Sequence, residues 1–112
     1  MATQPATAGP RPVEVEVVRT GKGCLVSPAH RTVTPGNTIT WRNVTGAQVT
    51  LFIPDGNLFG KQMTQAIAAG GNWTSPPAQG QPTDPSHYPY AVYCDDVRDF
   101  AEGGSHPDII CG

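Results

Sequence analysis

The sequence has few charged residues and no long apolar run. Charged side chains make up 14% of the 112 residues, with seven Lys or Arg against nine Asp or Glu and a net charge of -2. The basic residues are scattered, whereas nucleic acids and anionic membranes are bound by clustered Lys and Arg. No stretch approaches the about 18 apolar residues that a membrane helix needs. We therefore expect neither a nucleic acid nor a membrane as partner.

The sequence also lacks the motifs of the common enzyme classes. It contains no G-x-S-x-G nucleophile turn, no phosphate-binding loop, no H-E-x-x-H metal motif and no C-x-x-C pair. A dyad of Cys94 and His106 for nucleophilic catalysis would need the loop between them to fold back, and nothing in the sequence indicates that it does. We predict that the protein is not an enzyme.

Cysteine is scarce, with Cys24, Cys94 and Cys111 as its three occurrences. An odd number argues against a complete disulfide framework. In a reducing cytosol all three remain thiols, whereas in an exported protein one pair can bridge, Cys24 with Cys94 being a candidate.

Residues 1–12 are polar and lack the apolar centre of a secretory signal. The sequence predicts a flexible tail over 1–12 and a cytoplasmic location, or an exported one if a signal has been removed.

Glycine and proline are abundant instead, with 13 and 12 residues, and both are poor in helix interiors. Between them lie short runs in which apolar and polar residues alternate with the period of a half-buried strand. In residues 38–43, for example, Ile39 and Trp41 face one side. The pattern predicts one all-β domain over 13–112. We expect an antiparallel Greek-key β-sandwich or barrel of seven or eight short strands.

Residues 88–94 form the most aromatic of the predicted strands, and those on one of its faces should be buried. That face contains Tyr88, Tyr90, Val92 and Cys94. Residues 57–65 are ambiguous between one helical turn and an irregular loop, and residues 66–69 favour a strand or loop over a marginal helix. Residues 95–106 are predicted to be a long loop, followed by a closing strand at 108–111.

Three segments resemble the cupredoxin family. Residues 34–43, T-P-G-N-T-I-T-W-R-N, are similar to its P-G-D-V-W-N turn and strand. Residues 88–94, Y-P-Y-A-V-Y-C, are similar to the strand that leads to the family's copper cysteine, and the final strand after Pro107 is the third segment. Residues 101–107, A-E-G-G-S-H-P, look like a loop of copper-less bacterial cupredoxin-like proteins. The resemblance implies a cupredoxin-like fold for most of the chain.

The family's type 1 copper site uses two histidines, a cysteine and usually a methionine, because thiolate and imidazole suit both copper oxidation states. The resemblance places the cysteine at Cys94. It places the first histidine near Ala47 or Gln48, and no histidine stands there or just after Cys94. His106 occupies the axial position, and His87 is a further candidate. The resemblance therefore implies no cofactor, with copper at Cys94, His106 and His87 as the exception.

We predict a non-enzymatic cupredoxin-like binding module that works through end loops 44–48, 57–65 and 95–107. Its partner is a protein or a small ligand. The alternative is an atypical copper-binding or electron-transfer protein that uses Cys94. The acidic residues of the last loop lack the D-x-D-x-D-G spacing of a calcium loop, so a solvated or partner-binding surface is favoured. The candidate loop residues are Gln48, Asp95, Asp96, Asp99 and Glu102.

Overall fold

Short strands joined by tight turns make up most of the chain that this computed structural model describes, which is residues 12–79, 86–101 and 107–111. All but the last residue of the predicted tail lie outside these ranges. One helix, α1 (Gly56–Phe59), occurs in them. The strands are β1 (Val13–Arg19), β2 (Cys24–Ser27), β3 (His30–Val33), β4 (Ile39–Asn43), β5 (Val49–Ile53), β6 (Met63–Ile67), β7 (Asn72–Thr74), β8 (Ser86–Pro89), β9 (Ala91–Cys94), β10 (Asp99–Phe100) and β11 (Asp108–Cys111).

These strands form three sheets, in the orders β2-β1-β4-β7, β10-β9-β5-β6 and β3-β11-β8. The all-β fold class predicted from the sequence is confirmed. The sheets are nevertheless mixed, because β1 runs parallel to β4 and β3 runs parallel to β11. Alternation reports which face of a strand is buried and carries no information about the direction of its neighbour.

The predicted aromatic strand is divided between two sheets. Its first half, β8, pairs with β11, and its second half, β9, pairs with β5 and β10. The change of partner comes directly after Pro89, whose nitrogen has no hydrogen to donate to a ladder. The predicted inward face is confirmed, since all four of its residues are buried. This division helps to make the number of strands larger than predicted.

Trp41 on β4 lies at the centre of the core and is fully buried. Its ring packs edge-on against Phe59 and Tyr90 and stacks on Trp73, with ring centroids 5.6 to 6.5 Å apart. Its Nε1 donates a hydrogen bond of 3.2 Å to the Tyr90 hydroxyl. One side chain thus links α1, β4, β7 and the junction between β8 and β9.

The ambiguous segment contains the single helical turn of α1. Asp55 caps it by accepting a hydrogen bond of 2.8 Å from the Asn57 amide, and Gly60 ends it with a φ of 88°. Leu58 and Phe59 are buried, so the turn is held by the core rather than by helix propensity. No helix in the described ranges is long and apolar enough to cross a membrane.

Candidate functional site

Cys94, where the resemblance places a copper thiolate, is bonded to Cys24 in a disulfide, with the two Cα atoms 6.4 Å apart. The sequence left open whether all three cysteines are thiols or one pair forms a disulfide. In the structure Cys24 and Cys94 form a disulfide. The predicted burial of Cys94 is confirmed, and Cys24 and Cys111 are buried as well. A sulfur in a disulfide is not a thiolate, and the thiolate is the form that ligates a metal.

The disulfide lies beside the meeting point of two predicted end loops, 44–48 and the segment that follows Cys94. The side-chain amide of Gln48 donates to one carboxylate oxygen of Asp95 at 2.7 Å, and the Thr50 hydroxyl donates to the other at 3.0 Å. The main-chain N–H of Asp95 also donates to the main-chain carbonyl of Gln48 at 3.3 Å. Two of the candidate residues, Gln48 and Asp95, therefore bind each other and connect the two loops.

A second bridge reaches this end of the molecule from β1. The Arg19 guanidinium pairs with the Asp96 carboxylate at 2.7 Å, and its Nε donates to the Thr45 carbonyl at 3.2 Å. Nothing in the sequence pattern points to Arg19, because it lies 77 residues from Asp96.

Asp99 opens β10 rather than lying in a loop, and its carboxylate accepts from the main-chain N–H of Phe100 at 2.8 Å. Glu102 lies outside the described residues.

The third predicted loop is at the opposite end of the sheet. Strand β5 runs from Val49, which is opposite Cys94, to Ile53, which is opposite Met63. Residues 54–62 follow the far end of β5, so they do not meet 44–48. The expectation of one working end formed by three loops is corrected to an end formed by two, because a strand necessarily separates the loops at its two ends.

The exposed apolar side chains lie at the end formed by residues 44–48 and 95–98 and on the hairpin of β9 and β10 beside it. Among the described residues, the large hydrophobic side chains that are exposed are those of Val44, Val97 and Phe100, with 48%, 36% and 54% of their surface accessible. Val44 is the first residue of loop 44–48, Val97 is in the turn after Asp95, and Phe100 is on β10. Large exposed hydrophobic groups rimmed by polar residues are typical of interaction surfaces.

Asn43 organises the first of these loops from inside the core, where it is fully buried. Its amide donates to the carbonyls of Ala47, Ile67 and Ala68, and its Oδ1 accepts from the amide and hydroxyl of Thr45. Asn43 is not among the site residues predicted from the sequence. Alternation could have found it, because it continues the inward face of Ile39 and Trp41 by one more step.

Two of the three histidines, His30 on β3 and His87 on β8, lie in another sheet. His87 Nδ1 lies 2.7 Å from one carboxylate oxygen of Asp108 on β11, and His30 Nδ1 contacts the other oxygen. Both imidazoles are more than half exposed, whereas Asp108 is buried. His106 lies outside the described residues. The structure thus gives His87 a carboxylate partner on β11 and does not bring it to Cys94.

Burial by itself raises the pKa of Asp108, but the hydrogen bonds from His30 and His87 outweigh it, so the pKa of Asp108 is lower than its usual value. A carboxyl group with a lowered folded-state pKa stabilises the protein above its unfolded pKa of about 3.9. That contribution is lost as the pH falls through the folded-state value. The three strands of this sheet are therefore held together better at neutral than at strongly acidic pH.

We expect Asp108→Asn to lower the free energy of unfolding by about 1.5 kcal/mol at neutral pH, in the range of hydrogen bonds to charged groups. The difference from the wild type should shrink as the pH falls below about 4, where the wild-type carboxylate becomes protonated. Urea unfolding at pH values on both sides of this point measures it. A difference that does not change with pH would show that the charge of Asp108 has no part in the effect.

No protein-family model matches the sequence, and no curated protein sequence matches it. Solved structures do match. A copper(I) form of an amicyanin mutant has a TM-score of 0.61 and 12% sequence identity, over 96% of this chain and 88% of that one. A purple cupredoxin from Nitrosopumilus maritimus has a TM-score of 0.57 and 16% identity, over 89% and 99%. The chain has the cupredoxin fold. At these identities the likeness extends to the fold alone.

The residues present do not fit the copper site that this fold carries in amicyanin. Cys94 is occupied by its disulfide, position 47 is an alanine beside the glutamine of position 48, and His87 is bonded to Asp108. No group of three or more His, Cys, Asp or Glu in the described ranges can hold a metal ion. The cupredoxin-like resemblance is confirmed, and this donor set fits a variant without the family's copper site.

The cofactor prediction, none with copper as the exception, is contradicted. Neighbours with the same fold are copper-bound amicyanins, so the fold itself provides no ground for expecting the absence of a cofactor. The copper exception depended on a Cys94 thiolate, and Cys94 is bonded to Cys24. A resemblance between strands shows where a cysteine lies in the fold. It does not show whether that cysteine is a thiolate that can bind copper or one half of a disulfide, as Cys94 is.

Proposed function

We propose that this cupredoxin-like module is a non-enzymatic binding protein that docks a partner protein at the end formed by residues 44–48 and 95–98. The observation that carries the proposal is the position of the exposed hydrophobic side chains. Val44 and Val97 lie on the two segments that the Gln48–Asp95 and Arg19–Asp96 contacts hold together. Apolar groups with a polar rim, on loops already held in place, favour binding to a protein surface.

The bonds around Asp95 and Asp96 support the proposal because they order the loops before a partner arrives. Ordering a loop on binding costs free energy, and a loop that is already ordered avoids that cost. Asp95 has both carboxylate oxygens bonded, one to Gln48 and one to Thr50. We assign these two acidic residues a positioning role, and Val44 and Val97 the contact with the partner.

The disulfide supports an oxidising compartment, which is the exported alternative of the sequence analysis. Disulfides persist in secreted and periplasmic proteins and are rare in the reducing cytosol. We propose that the module works outside the cytoplasm. Electron transfer through copper at Cys94 has no observation in its favour, because the same disulfide occupies the sulfur.

The test is capture of a protein from the native host extract by the immobilised, oxidised full chain. We expect Val44→Asp and Val97→Asp each to reduce the captured amount at least about tenfold, since a charge replaces an apolar contact at an interface. Thr32→Asp is the matched control: it adds the same charge at an exposed position of β3, which belongs to another sheet. Exposed substitutions of this kind usually change stability by no more than about 0.5 kcal/mol.

Equal capture by the wild type, both loop variants and the control would mean that this end is not the docking site. A wild-type chain that captures nothing from any host fraction would count against the binding function itself. Thermal unfolding of each variant verifies that a loss of capture is not a loss of folding.

A further inference from the structure

Arg98 is the last residue of the turn 95–98 between β9 and β10, and its backbone is left-handed, with a φ of 56°. The other described residues with a positive φ are all glycines: Gly36, Gly46, Gly60 and Gly70. Overlap of the Cβ atom with the backbone makes this conformation unfavourable for residues other than glycine, and least so for Asn and Asp. The backbone of the turn is therefore poorly suited to an arginine.

The Arg98 side chain has no bond in the described chain that offsets this cost. It is exposed, and it forms neither an ion pair nor a side-chain hydrogen bond with any residue that the structure describes. Its main-chain N–H donates to the Cys94 carbonyl at 2.9 Å, but every residue except proline can make that bond. Residues that break a local rule without such compensation are typical of functional sites.

The position of Arg98 connects it to the docking end. It is adjacent to Val97, and both side chains are exposed. The carboxylates around it are already bonded within the chain: Asp95 accepts from Gln48 and Thr50, Asp96 from Arg19, and Asp99 from the main-chain N–H of Phe100. The Arg98 guanidinium is thus the one charged side chain of this turn without a bonding partner among the described residues.

We propose that the protein docked at this end presents a carboxylate, and that Arg98 is the residue that selects it. The inference rests on the proposed function and adds the chemistry of the partner. The parallel N–H groups of a guanidinium match the two oxygens of a carboxylate. Arginine is also enriched in interface hot spots, where surrounding apolar contacts exclude water and strengthen a charge pair. Val97, one residue away, supplies such a contact.

A carboxylate on a protein fits these observations better than the phosphates of a nucleic acid or a membrane. Phosphate surfaces are bound by clusters of Lys and Arg. In the turn 95–98 a single cation stands beside two carboxylates and an apolar side chain. One guanidinium beside an apolar group suits one carboxylate at the edge of an apolar patch.

The test varies the charge at position 98 in the immobilised, oxidised full chain and measures the protein captured from the native host extract. Arg98→Lys keeps the charge without the forked geometry, Arg98→Asn removes the charge, and Arg98→Asp reverses it. Capture should fall in that order, and Arg98→Asn should capture at least about tenfold less than the wild type, as on losing a hot spot. Nuclease treatment of the extract should change nothing.

Two further measurements separate a contact with the partner from a structural role. Arg98→Asn should unfold thermally at or above the temperature of the wild type, because asparagine adopts the left-handed backbone more readily. An increase from about 0.1 to about 1 M salt shortens the screening length from about 10 to about 3 Å. It should therefore weaken capture by the wild type more than capture by Arg98→Asn.

Lys61→Asn is the matched control for the loss of a positive charge. Lys61 is exposed and lies beyond the far end of β5, so its substitution should leave capture unchanged. The charge of the partner is tested separately by Val97→Lys and Val97→Asp, which remove the same apolar contact and differ in sign. With an acidic partner the lysine variant should capture more than the aspartate variant.

Capture by Arg98→Asn that equals the wild type overturns the inference, as does equal capture by the two Val97 variants or a loss of capture after nuclease treatment. If Val44→Asp still loses capture in those cases, the proposed docking end stands without the carboxylate. A wild type that captures nothing contradicts the proposed function itself, and the inference with it.

Discussion

Removal of the Cys24–Cys94 disulfide should lower the free energy of unfolding by about 4 kcal/mol. The two cysteines are 70 residues apart, and the stabilisation by a cross-link increases with the length of the loop that it closes in the unfolded chain. For a loop of this size the chain-entropy relation gives a value between the about 3 kcal/mol of a 15-residue loop and the about 4.7 kcal/mol of a 100-residue loop. The measurement is urea unfolding of a Cys24→Ala, Cys94→Ala double variant.

A reducing agent provides the matched control for this prediction. It should destabilise the wild type by a similar amount and leave the double variant unchanged, because the variant has no bridge to reduce. Both proteins keep Cys111, so any effect of that buried thiol is common to them. A wild type whose unfolding is the same with and without reductant would contradict a stabilising bridge.

Tyr90→Ala should lower the free energy of unfolding by about 3 to 5 kcal/mol, the range for truncation of large aromatic side chains in cores. Tyr90 is buried, packs edge-on against Trp41 and accepts the hydrogen bond of the indole nitrogen. The alanine variant loses the ring and leaves that buried donor without its partner, and each loss is destabilising. Denaturant unfolding measures the sum.

The Tyr90→Phe variant separates the two losses, because it keeps the ring and removes only the hydroxyl. Tyr90→Phe should lower the free energy of unfolding by about 1 to 3 kcal/mol, as expected for an indole donor left unpaired.

Burial raises the pKa of Tyr90 above its usual value. The folded protein therefore keeps the phenol protonated at a pH at which the unfolded chain has lost the proton, and stability falls as the pH rises above about 10.

In Tyr90→Phe this contribution to the alkaline loss of stability should be absent. A wild type and a Tyr90→Phe variant with identical stability at all pH values would mean that Tyr90 is not enclosed by the core. A fully stable Tyr90→Ala would mean that the register of residues 88–94 is shifted by one residue, which exchanges the two faces of this segment.

The sequence by itself determined the class of the fold and the inward face of its main strands. Alternation at Ile39 and Trp41 and at Tyr90 and Val92 predicted burial that the structure has, because the two-residue period of a strand is a local property of the backbone. The cupredoxin resemblance was readable for a similar reason, since it depends on a turn and two strands that are each continuous in the sequence. The roles of the candidate site residues stay predictions.

The contacts between residues distant in the chain were decided only by the tertiary structure. Arg19 meets Asp96, Cys24 meets Cys94, and Asp108 meets His30, at separations of 70 to 78 residues. Such a pair comes together only when the sheets have packed, and alternation gives each partner a face without giving it a neighbour. The exposure of Phe100 has the same origin, because it depends on which side of the sheet the chain leaves uncovered. The sequence therefore specifies how each strand is oriented toward the core, and the packing of the sheets specifies which side chains meet.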